Sequence, residues 1–152
     1  MTMAYRLEVQ HRSPARPEQV WSVLSDWEGQ HRWIPLTSVR VLEGDGSRVG
    51  DLVEAVSRPG WGVRRHGLVD RMRVTRSVPG YLLEVEHLGP VFRGLGRFTL
   101  VSDGEGTCIT SLEEVSGPAP AVALAPLSGP ALRIGLRGSL RSLSELAGRV
   151  SV

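Results

Sequence analysis

Lysine is absent from this sequence: all 18 basic residues are arginine, set against 16 carboxylates for a formal net charge of +2. That bias reads as codon composition rather than function. The arginines are interleaved with acids, so no dense basic cluster grips nucleic acid in spite of a pI near 9.3. Cysteine is almost absent too. Cys108 stands alone, which excludes an internal disulfide and leaves nothing to argue for an oxidising compartment. Long apolar runs are missing: the most apolar stretch, 119–136, is broken by Pro120, Pro126 and Pro130 and does not read as a membrane span. The opening MTMAYRLEVQH lacks the charged start, apolar run and small-residue site of a signal peptide. A cytoplasmic protein without stable membrane insertion is the expectation. No HExxH, CxxC or similar spacing occurs, so neither a metal nor any other cofactor is expected. FRGLGRF, though glycine-rich, falls inside a strand pattern rather than between strand and helix, and is no phosphate loop.

What is present suits one domain over residues 1–152, long enough for a single core. Its organising stretch is a last helix read as Ala131 to Val150. At about 100° per residue, Leu132, Leu136, Leu140, Leu143, Leu146 and Val150 fall within an arc of roughly 120°, the stripe a helix buries. Arg133, Arg137 and Arg141 step along a neighbouring, solvated face. Ser139 within the stripe and Gly135 at its edge leave space beside a partner sheet.

Upstream, Tyr5 to His11 alternates as a strand. Pro17 and Glu18 suit a helix start, Gly29 ends that helix, and a second short one leads through His31, Trp33 and Ile34 to Pro35. Strands then read as 39–42, 50–57 and a long one from 63 to about 76. Pro79-Gly80 fits a type II turn that sets Val78 opposite Tyr81, Val74 opposite Val85 and Met72 opposite His87. Gly89-Pro90 sets Leu88 against Val91, which places Gly94 and Gly96 opposite Val85 and Leu83. The turn DGEG sets Ser102 against Thr107. These turns assign one face to Asp70, Met72, Val74, Tyr81, Leu83, Val85, His87, Phe92, Phe98, Leu100, Ile109, Ser111 and Glu113, mostly apolar as a core face requires. The other face carries Arg73, Glu86 and Arg93 as a charged ladder, and Cys108.

Strand, two short helices, a six-strand meander and a long C-terminal helix follow in that order. With VWSVLSDWEGQHRWIP, VRVLEGDGSRVGD, GEGTCITSLEE and the leucine-striped helix, the sequence resembles the START/Bet v 1-like (SRPBCC) superfamily, and within it polyketide cyclase/dehydrase and lipid-transport-like proteins. The resemblance implies an α+β helix-grip fold: a curved antiparallel sheet of six or seven strands around the last helix, enclosing a cavity for a hydrophobic or amphipathic small molecule. It implies no fixed catalytic motif.

Ionisable residues on the inner face are therefore the candidates for chemistry. Asp70 or Glu113 suits a general base, His87 or His66 a proton shuttle, and Arg64 or Tyr81 a donor to a developing oxyanion, the parts an aldol-type cyclisation and dehydration needs. Each also reads as a rim residue or a partner for the backbone. Trp33, Tyr81, Leu83, Val85, Phe92, Phe98, Leu136, Ser139, Leu140 and Leu143 are the expected ligand contacts. Three functions fit this pattern: a polyketide cyclase-like pocket protein, a carrier or sensor of a lipid or other hydrophobic metabolite, and a protein-interaction module.

Overall fold

A computed structural model of the chain describes residues 2–58, 67–90, 93–118 and 124–151. Strand β1 (Thr2–Ser13) is followed by helix α1 (Pro17–Leu24) and a turn of 3₁₀ helix (Glu28–Arg32). Then come β2 (Thr37–Glu43), β3 (Leu52–Ser57), β4 (Leu68–Val78), β5 (Leu82–Pro90), β6 (Arg93–Asp103) and β7 (Gly106–Pro118). Helix α2 (Leu124–Ala147) closes the chain. The seven strands form one antiparallel sheet in the order β1-β7-β6-β5-β4-β3-β2. This is the expected helix-grip architecture.

Helix α1 begins where its chemistry allows. Pro17 occupies the first turn, where its missing N–H costs nothing, and the Gln19 side-chain oxygen accepts the Arg16 N–H at 2.9 Å. Gln19 Nε2 donates to Val150 O at 2.9 Å, tying α1 to the end of the chain. Val20 and Leu24 of α1 are fully buried with Val53, Val74, Leu100 and Ile109 of the sheet and Leu140, Leu143 and Ala147 of α2. At about 1.5–3 kcal/mol for each large aliphatic side chain, this interlock supplies much of the drive to fold.

The last helix starts earlier than its leucine stripe indicates, with Pro130 inside it. Among its described side chains, burial deepens toward the C-terminal half. Leu132 is 46% exposed and Ile134 69%, whereas Ser139 is buried and Leu140 and Leu143 are fully so. The stripe is periodic throughout, but the sheet underlies only part of it.

Two registers differ from expectation. Val74↔Val85 and Met72↔His87 pair as read, but Thr75 is an extra residue in β4, so Val78 meets Leu82 rather than Tyr81. A bulge of this kind shifts the pairing next to the turn by one residue; Tyr81, just before β5, is 51% exposed. Between β5 and β6 pairing among the described residues runs to Leu88↔Arg93. Gly96 therefore lies opposite Val85 and Gly94 opposite His87. The slip is two residues, and a slip of two keeps every side chain on its face. Arg73 still pairs with Glu86, but Arg93 no longer does. Ser102 meets Thr107 as read.

Candidate functional site

Sheet and helix enclose a cavity of about 240 Å³. A larger hollow of about 710 Å³ beside Pro14, Arg16 and Ser102 is an open surface groove with no buried acid in it. The enclosed cavity is walled by apolar side chains, Met72, Leu83, Val85 and Phe98 from the sheet and Leu136 from α2, with Ser139 beside them. Trp33, which follows the 3₁₀ turn, closes one side and meets Phe98 edge-on, ring centroids 6.0 Å apart at 84°. Such an edge-to-face contact is a preferred aromatic geometry. The Trp33 indole Nε1 is buried and finds no hydrogen-bond partner among the described residues.

Polar chemistry is concentrated where β4, β5 and β7 present Asp70, His87 and Glu113. His87 Nδ1 lies 2.7 Å from Asp70 Oδ2, and its Nε2 lies 3.1 Å from Glu113 Oε2. Gly96, opposite Glu113 on β6, makes room for this contact. A Cβ there would stand 3.1 Å from both His87 Nε2 and Glu113 Oε2. Burial alone pushes the imidazole pKa down, but the hydrogen bonds to Asp70 and Glu113 and the charges of both carboxylates outweigh it, raising the pKa from 6.5 to about 10. At neutral pH His87 is an imidazolium whose two N–H groups are both engaged. It orients both carboxylates, and lies within hydrogen-bond reach of each. Asp70 Oδ1, buried and without a partner among the described residues, is the open acceptor of the cluster.

Of the residues singled out from sequence, Asp70, His87, Glu113, Trp33, Leu83, Val85, Phe98, Leu136 and Ser139 come together around this cavity. Leu140 and Leu143 do not line it. One helical turn further along α2 they are packed into the core. Tyr81 stands in the β4–β5 turn and does not line the cavity. Arg64, His66 and Phe92 lie outside the described residues. The sequence reading missed Trp27, Gln30, Ile34, Thr37, Val39 and Ala55, which complete the wall. Alternation in β2 and β3 marks Val39 and Ala55 as inward, but nothing local reveals that these strands curl far enough to reach the pocket. Among the described residues no group of three His, Cys, Asp or Glu is arranged to hold a metal ion. No helix there is long and apolar enough to cross a membrane.

Residues 4–148 match the model of the family described as polyketide cyclase / dehydrase and lipid transport. The chain belongs to that family. No curated protein matches its sequence. Among solved structures it is similar to the Zhui aromatase/cyclase of a Streptomyces species, at 16% identity over 97% of this chain and 95% of that one, TM-score 0.74. It is similar also to truncated norcoclaurine synthase from Thalictrum flavum, at 18% identity over 99% and 97% of the two chains, TM-score 0.69. A protein from Thermus thermophilus, 18% identical over 97% of this chain and all of that one, superposes with a TM-score of 0.73. At these identities the family member shares their fold, and the likeness extends no further.

Proposed function

We propose that this family member binds a compact hydrophobic molecule in the cavity and acts on it as a cyclase or dehydrase by acid–base chemistry. One observation carries the reading: a partly buried carboxylate–imidazolium–carboxylate cluster, with Asp70 Oδ1 unpartnered among the described residues, lines a largely apolar chamber. The volume, about 240 Å³, is at or below the small end of ligand pockets, roughly 300 Å³ upward, and favours a short aromatic or polyketone-like molecule over a long acyl chain. In this role Asp70 takes a proton from carbon flanked by carbonyls, and the enolate attacks a second carbonyl held against the apolar wall. The proton returns through the cluster as water leaves, with His87 relaying charge between Asp70 and Glu113. A structure with 240 Å³ of space beside the acids favours this over a protein-interaction module, which has no use for an interior chamber.

The test uses an aryl triketone whose ring closure with loss of one water gives an absorbing resorcinol. Asp70→Asn and Glu113→Gln are expected to keep binding of the triketone, followed by quenching of indole fluorescence, while the rate of ring closure falls to background. Unchanged turnover removes the carboxylates from the mechanism. Binding without turnover in the unaltered protein turns the reading into a carrier.

A further inference from the structure

The polar atoms of the cavity are not matched to one another, and their mismatch describes the occupant. With both carboxylates ionised the acid cluster is anionic: two carboxylates share one imidazole, so the sum is −1 with His87 charged and −2 with it neutral. Among the described residues lining the cavity there is no arginine to offset it. Arg133 of α2 does not line the cavity and donates to Glu8 O at 3.0 Å. Arg40, Arg71 and Arg97 bind their own glutamates on the opposite face of the sheet. Of three buried side-chain atoms without a partner among the described residues, two belong to residues lining the cavity, an acceptor at Asp70 Oδ1 and a donor at Trp33 Nε1; the third is Ser111 Oγ. Trp33 is only 2% exposed, so its N–H has no recourse to solvent. An unmet buried donor or acceptor is costly, and a ligand that meets it recovers that cost.

We propose that the occupant is a neutral hydroxy-carbonyl compound, its carbonyl accepting from the Trp33 indole N–H and its hydroxyl donating to Asp70 Oδ1, and that anionic amphiphiles such as fatty-acid carboxylates are excluded. The inference rests on the ligand-binding reading above and narrows it. A carboxylate in this chamber would stand against a net negative charge in a medium of low dielectric, where like charges a few ångströms apart repel strongly. A cavity for free fatty acids would instead place a cation or a row of N–H donors at its polar end.

The experiment uses the unaltered protein and three ligands on one scaffold: a hydroxy-substituted acetonaphthone, its methyl ether, and the analogue with carboxylate in place of hydroxyl. Titration calorimetry at neutral pH is expected to rank them in that order. The ether should bind about tenfold more weakly, because Asp70 Oδ1 loses its donor. The carboxylate should bind on the order of a hundredfold more weakly. In parallel, the indole N–H resonance assigned to Trp33, by its loss in Trp33→Phe or by sequential assignment if that variant does not fold, should shift downfield with the ketone. A carboxylate that binds within threefold of the hydroxyketone overturns the charge inference, and an unmoved Trp33 resonance overturns the donor assignment. If none of the three binds, the cavity reading itself has failed, which the calorimeter distinguishes from a wrong ranking.

Discussion

The two faces of the sheet both bury carboxylates, and they treat them in opposite ways. On the outer face Glu54 is bracketed by arginines from both neighbouring strands. Arg40 donates to its Oε1 at 2.7 and 3.0 Å, and Arg71 to its Oε2 at 3.0 Å. Those hydrogen bonds, first Arg71 and then Arg40, hold its pKa below the usual carboxylate range against the effect of burial. Glu84 is saturated in the same manner, with Thr75 Oγ1 on one oxygen at 2.9 Å and Arg97 on the other at 2.8 Å. The bulged residue Thr75 thus serves the outer face by its hydroxyl. On the inner face one histidine is shared between two acids and an oxygen is left over. A carboxylate with every lone pair engaged is part of the scaffold, and one with an open lone pair in a chamber is available for chemistry.

Five experiments would sharpen or break this contrast. The largest effect is expected from Asp70→Asn, a loss of about a hundredfold or more in turnover of a cyclising ketone, with ligand binding retained; a normal rate would make the inner cluster as structural as the outer. Glu54→Ala should do the reverse, lowering stability by about 1–3 kcal/mol in urea denaturation, because Arg40 and Arg71 lose their shared acceptor, while ligand titrations stay as they were. Next comes pH. His87 has a higher pKa folded, about 10, than its unfolded value of 6.5. Its contribution is therefore full below about pH 6.5 and is lost as pH rises through 10. Urea midpoints measured between pH 7 and 10 should fall, and His87→Gln should flatten that fall. Gly96→Ala should separate Glu113 from His87 by a few tenths of an ångström, seen as a lower His87 pKa in NMR titration, with the fold intact. The smallest effect belongs to Arg40→Gln, under about 1 kcal/mol, since Arg40 is 67% exposed and Glu54 keeps Arg71.

The inner face was legible in the sequence because turn chemistry sets parity. Pro79-Gly80 and DGEG put Asp70, His87 and Glu113 on one side, and even the two-residue error at Gly89-Pro90 left them there. Their mutual contact was not legible, since it needs the corrected register that sets Gly96 opposite Val85 and Glu113. The pairing of Val78 with Leu82 was not legible because a bulge at Thr75 has no signature in a run of ordinary strand residues. Glu54 and Glu84 read as solvent-facing by alternation. Only the pairing of β2 with β3 and of β5 with β6 shows that arginines cover them. The leucine stripe of α2 reported its periodicity but not where the sheet beneath it ends.

Strand β1 has its hydrogen-bonding partner at the other end of the chain: Thr2 to Ser13 lie along Pro118 to Thr107. During synthesis the backbone donors and acceptors on this edge of β1 stay unmatched until β7 has been made. Closing so distant a pair is entropically slow compared with making a hairpin. The sheet is therefore held open longest along the seam between β1 and β7.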